Sequence, residues 1–160
     1  MGNQVQQAYT NGHNQGQHSL YQQAMLAHHK SPVGFEQEIN VSHSADGVNP
    51  ACGDEIRIDA ELCDDHISHL AFFGDSCAIC RASASMLCQF LRNQPVAQAL
   101  AISQQLQLSL DKNLAFTGQM AEHFAPLGAV AKFPVRKQCA LLPWSTLDKV
   151  LKKTLNESEV

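Results

Sequence analysis

The stretch EIRIDAELCDDHISHLAFFGDSCAICRASASMLC, Glu55–Cys88, decides the fold. In its first part Ile56, Ile58, Ala60 and Leu62 alternate with polar residues, the period of a strand with one buried face. Past Asp64 and Asp65, Ile67, His69, Ala71 and Phe73 alternate against His66, Ser68, Leu70 and Phe72. The two runs predict an antiparallel hairpin with the acidic pair as its turn. After Gly74 the pattern becomes helical. Ser76 or Asp75 is placed to cap a helix from about Cys77 to Arg92, and Cys80, Ala84, Leu87, Cys88 and Leu91 form one stripe along it. Its ASAS run lets neighbouring elements approach closely.

Upstream, EINVSH (Glu38–His43) predicts an edge strand. SLYQQAMLAHHK predicts a short amphipathic helix with Ser19 as N-cap, ended by Pro32 and Gly34. His28 and His29 are adjacent, so they point to different faces, which suits packing or helix-end hydrogen bonds better than shared ligation. Downstream, Pro95 opens a further helix, and QMAEHFAPLGAV and WSTLDKVLKKTL supply later ones. Strands first and helices after predict an α+β domain, a small antiparallel sheet of about three strands covered on one face by helices. Residues 1–19 are rich in Gln, Asn, Gly and His and nearly empty of branched aliphatics, so a disordered tail is expected there and the folded domain over residues 20–156. His13 and His18 in that tail are expected to be solvated.

The chain has 160 residues, of which 44% are hydrophobic, enough for a single core. Its net charge of −4 leaves no basic surface for nucleic acid, the longest basic runs being Arg136-Lys137 and Lys152-Lys153. No apolar run is long enough to span a membrane and no leader pattern opens the chain, so a cytoplasmic protein is expected. In a reducing compartment its six cysteines are expected to serve metal binding, thiol chemistry or packing rather than disulfides.

The cysteines differ in setting. In NPACGDEIRI, Asn49-Pro50 makes a turn and Gly53 separates two ligand-type residues, Cys52 and Asp54, so both can face one ion. Cys77 stands at a helix start, where unpaired amides favour a thiolate, whereas Cys80 and Cys88 lie on the stripe expected to be buried. Cys63 falls at the hairpin turn, outside any site. The C-x-x-C of Cys77 and Cys80 does not follow a parallel strand as a thioredoxin-like pair would, and no second C-x-x-C completes a zinc ribbon.

NPACGDEIRI, FFGDSCAICRASASML and FPVRKQCALLPW resemble, in order, the three cysteine segments of the IscU/NifU/SufU iron–sulfur assembly family. The resemblance runs over Leu20–Leu155 and includes YQQAMLAHHKSP. It is closest to SufU-like members, because the long stretch between Cys77 and Cys139 leaves room for an extra helical segment. The resemblance implies a SufE/NifU-like fold and a metal or sulfur site of Cys52, Asp54, Cys77 and Cys139, with Cys139 as sulfur acceptor. It also implies a cysteine desulfurase and downstream iron–sulfur assembly or acceptor proteins as partners. Cys80 in place of Asp54 as the fourth ligand remains an alternative.

That resemblance implies a sulfur carrier holding Zn²⁺, with a scaffold for a transient Fe–S cluster as the alternative; a zinc-stabilised interaction module, which the resemblance disfavours, is the third reading. Arg136 and Lys137 are expected to offset the negative charge of such a site. Gln138 stands where IscU-type members have His and SufU-like members usually Lys. Pro143 implies that the helix beginning near Arg136 starts later or kinks.

Overall fold

The computed structural model describes residues 19–158 except residue 131, so the tail expected over residues 1–19 lies, up to residue 18, outside the described residues. Strands β2 (Asp54–Cys63) and β3 (His66–Phe73) form the expected hairpin. Asp64 and Asp65 turn the chain with φ of 49° and 63°, left-handed conformations that match the twist of the strands and that short acidic residues tolerate. Ile58 faces Phe72 and Ala60 faces Leu70, until a register shift between Glu61 and Leu62 interrupts the ladder. Beyond that bulge the alternation slips, so Ile67 joins Leu70 and Phe72 in the core.

The edge strand differs from its expected place. β1 (His43–Asn49) begins where the predicted Glu38–His43 strand was to end, while Val41 in that segment is exposed. β1 pairs antiparallel with β2, Ala45 opposite Ile58 and Gly47 opposite Ile56, giving the order β1-β2-β3. Its inward positions are small because a helix lies directly over them. A Cβ added at Gly47 would stand 2.0 Å from Thr146 Oγ1. A strand built on Ala and Gly carries no aliphatic signal, which is why sequence alternation favoured the wrong segment.

Helix α1 (residues 19–30) precedes the sheet, with Ser19 already helical rather than capping. Helices α2 (Ala78–Leu91), α3 (Val96–Asp111), α4 (Gln119–Val130) and α5 (Pro134–Ser158) follow it. The cap of α2 is Cys77, whose sulfur accepts from the Cys80 amide, and not Ser76 or Asp75. α5 does not start late, and it is assigned as one helix across Pro143. It begins at Pro134, where a missing N–H would be unpaired anyway, and runs on through Pro143. Ser83 Oγ donates to the Ala140 carbonyl at 2.7 Å and accepts from Trp144 Nε1 at 3.0 Å, pinning α5 on both sides of that proline.

α5 packs across β1 and β2 and against α2 and α3, while α2 also touches β3. Trp144, Leu147, Val150 and Leu151 of α5 meet Ile56, Ile58 and Ala60 of β2 and Leu87 and Leu91 of α2 in one buried cluster. The opposite face of β2 exposes Glu55 and Arg57, so the helices cover one face of the sheet. α1 is joined to this body through His28 Nδ1, 2.7 Å from Ser85 Oγ, a hydroxyl that also accepts the Val33 amide. Burial lowers the pKa of His28, which keeps the ring neutral in that contact. Gly47→Ala is expected to destabilise the fold by about 1–3 kcal/mol through overpacking, and Thr146→Ala in the same chain to recover part of it; denaturant titration of the two single variants and the pair measures the coupling.

Candidate functional site

Four loop and helix ends bring the sequence-selected ligands to one end of the sheet. β1 ends at Asn49, and the Cys52 amide donates to the Asn49 carbonyl at 3.2 Å, closing a turn. Gly53 then takes φ of +71°, with open space around a hypothetical Cβ. This left-handed step places Cys52 and Asp54 on the same side just as β2 begins. The β3–α2 connection brings Cys77 beside them, and the second turn of α5 delivers Cys139.

The geometry is tight. Cys139 Sγ lies 3.0 Å from Cys52 Sγ, and ligand atoms of Cys52, Asp54 and Cys139 all lie within 4.8 Å of one another. Cys77 Sγ is 3.7 Å from Asp54 Oδ2, and the other carboxylate oxygen accepts the Cys77 backbone amide at 2.7 Å. Asp54, only 2% exposed, therefore both borders the thiols and ties the start of β2 to the start of α2. Cys139 is 3% exposed, and Cys52 and Cys77 are half-buried. The floor of the site is closed and its rim reaches solvent.

Burial pushes the Cys139 thiol well above its ordinary range, and its hydrogen bonding to Cys52, Asp54 and Cys77 adds to the shift. In the metal-free chain this thiol is a proton-bearing donor packed among acceptors. The donor cluster of Cys52, Asp54 and Cys139 is able to coordinate a metal ion.

The remaining predicted residues lie elsewhere. Cys80 and Cys88 are buried in the core stripe, and Cys63 is exposed at the hairpin end. Burial above all, then the nearby Asp54 carboxylate, pushes the Cys80 thiol up to about 12, so it behaves as a packed neutral group. Arg136 and Lys137, expected to offset the site's charge, have partners outside the ligand cluster. Arg136 stacks on the Phe133 ring at 4.9 Å, and Lys137 Nζ donates to the Asp111 carbonyl at 3.2 Å, because the end of α3 offers unpaired carbonyls closer at hand. Gln138 is exposed on α5.

Asn49 went unnoticed in the sequence except as a turn former. Its amide nitrogen is 4.0 Å from Cys139 Sγ, a weak donor aimed at the buried sulfur. Next to the ligands, Ala78, Ile79, Phe133 and Arg136 line with Tyr21 and Met25 an apolar groove of about 290 Å³. Among the described residues no helix is long and apolar enough to cross a membrane.

A small α+β body that gathers three cysteines and an aspartate at one end of its sheet defines a metal- or sulfur-handling assembly protein, and comparison with known proteins assigns the family. Residues 2–140 match the NifU-like N terminal domain, and the chain belongs to that family, which includes IscU and SufU proteins. It is 33% identical over 135 residues to the zinc-dependent sulfurtransferase SufU of Bacillus subtilis (strain 168), covering 84% of this chain and 91% of the relative. It is 29% identical over 143 residues to the iron-sulfur cluster assembly scaffold protein IscU of Streptococcus pyogenes serotype M1, covering 86% of each. The crystal structure of the N-terminal part of a nitrogen-fixing NifU-like protein from Brucella abortus superposes with a TM-score of 0.68 at 16% identity, over 81% of this chain and 90% of that one, which places the fold.

Variants and pH check the site. Cys77→Ser is expected to lose bound metal, and Asp54→Asn, which keeps an oxygen for the Cys77 amide but no charge, to weaken it. Cys80→Ser is expected to retain metal at a stability cost of about 1–2 kcal/mol. Metal stoichiometry of the folded variants decides, and loss from Cys80→Ser alone would transfer the fourth ligand to Cys80. In the metal-free chain the folded state holds the Cys80 proton up to about 12, while the unfolded thiol ionises near its ordinary 9.0. Folded protein thus binds more protons in that window and its stability falls as pH rises through it. Melting temperatures are expected to drop from about pH 8 to about pH 10, less steeply in Cys80→Ala.

Proposed function

We propose that this chain is a scaffold for iron–sulfur cluster assembly, with residues 20–156 as the working domain and Cys52, Asp54, Cys77 and Cys139 as the place where iron and sulfur cargo is held and handed on. The observation that carries this reading is the convergence of donors from the β1–β2 loop, the start of α2 and α5 within one small, one-sided site. Three thiolates with a carboxylate hold an iron–sulfur unit less firmly than four thiolates, which suits cargo that must leave. The half-buried pair Cys52 and Cys77 forms the side from which it can leave. The similarity to the IscU scaffold protein supports the same reading. Its partners would be a cysteine desulfurase and proteins that accept the finished cluster, in a reducing cytoplasm that keeps all these thiols free.

A second reading is a zinc-holding sulfur carrier, favoured by the 33% identity to zinc-dependent SufU and by a ligand span small enough for one tetrahedral ion. There Zn²⁺ would lower the thiol pKa values and keep Cys139 as a thiolate. Cys139 attacks the outer sulfur of a desulfurase persulfide, a new S–S bond forms on Cys139, and the desulfurase cysteine leaves as its thiolate.

The two readings separate in one anaerobic experiment with desulfurase, free cysteine, and iron present or omitted. Scaffolding is expected to give an iron-dependent visible absorption that transfers to an apo-ferredoxin and is lost in Cys139→Ser. Persulfide on Cys139 without iron, with zinc retained and no transferable chromophore, would replace it with the carrier reading. In either case strong chelation is expected to lower the melting temperature, since metal binding adds directly to folding stability.

A further inference from the structure

We infer that Cys52 and Cys139 are an oxidation site, which a hydroperoxide closes into an intramolecular disulfide whenever the site holds no metal. Their sulfurs are 3.0 Å apart, so about 1 Å of approach forms an S–S bond of ordinary length. The two differ in access in the way such a reaction requires. Cys52 is half-buried in a turn whose neighbour Gly53 has nothing packed over its Cα, whereas Cys139 is 3% exposed on α5. The oxidant therefore meets Cys52 first and the loop supplies the movement.

The steps balance. Cys52–SH and hydroperoxide ROOH give the sulfenic acid Cys52–SOH and ROH. Attack by the Cys139 sulfur on the Cys52 sulfur then forms the S–S bond and expels the hydroxyl, which leaves as water with the Cys139 proton. Other pairings are less favoured by structure. The Cys80 thiol is fully buried and its amide already donates to Cys77 Sγ, and Cys88 and Cys63 lie away from the cluster. Closure links the β1–β2 turn to α5 and removes two of the four donors, so the oxidised chain cannot take up metal until a dithiol reduces it. Protection by metal rests on the proposed metal-holding role of the site, while closure of the metal-free pair does not.

The full-length protein, stripped by chelator and treated with a small excess of hydrogen peroxide, is digested without reductant and its peptides are weighed. The expected product joins the Cys52 and Cys139 peptides with the loss of two hydrogens, two titratable thiols disappear, and dithiothreitol restores both. Cys63→Ser is expected to form the same link. Cys139→Ser is expected to stop at a Cys52 sulfenic acid that dimedone traps, whether or not that variant binds metal. A link between Cys77 and Cys139, between Cys77 and Cys80 or between Cys52 and Cys77, or stable sulfinic acid on Cys52 with no link, overturns the inference. Zinc added before peroxide is expected to abolish the link; a link that forms equally with zinc overturns metal protection and with it the metal-holding role, while leaving the pair itself supported.

Discussion

Helix α5 lies on the sheet as closely as it does because β1 offers no side chain at Gly47, where Thr146 fills the space a Cβ would need. The rest of the site depends on that contact. Once Trp144, Leu147, Val150 and Leu151 are seated on the β2 face and on α2, the register of α5 is set, and Cys139, near its other end, is carried to the β1–β2 turn. Continuity through Pro143 matters for the same reason. A break there would uncouple Cys139 from the packed half of the helix, and the Ser83 bridge to Ala140 and Trp144 holds the two halves in line.

Asp54 joins the remaining two ligand segments. Its carboxylate accepts the Cys77 amide, a charge-assisted bond at a helix N-terminus where orphan amides and the helix dipole both favour a negative partner. The same residue faces the thiols through its second oxygen. Fold and chemistry are thus coupled in one side chain: whatever displaces Asp54 also loosens the start of α2 and the position of Cys77.

Among the gathered thiols Cys139 is the most buried. Burial raises the pKa of the Cys139 thiol, and its contacts with Cys52, Asp54 and Cys77 add to the shift. The cations nearest in sequence, Arg136 and Lys137, contact the Phe133 ring and the Asp111 carbonyl at the end of α3.

Local patterning was enough to read the β2–β3 hairpin, its acidic turn, the buried stripe of α2 and the helical nature of the later segments. Each rests on near-neighbour physics: two-residue alternation, left-handed tolerance of Asp, and one-turn spacing of apolar groups. The three cysteine segments were likewise recognisable in order, with Gly53 marking the turn between Cys52 and Asp54. Other features were illegible because they depend on contacts distant in sequence. Gly47 of β1 lies under Thr146, Cys77 caps α2 while Asp54 accepts its amide, and Ser83 bridges α5 on both sides of Pro143. The sequence by itself determined which elements form and which residues have ligand chemistry. The tertiary structure alone decided that Cys52, Asp54 and Cys139 converge and that Cys80 is packed away, because burial and the seating of α5 are properties of the assembled core.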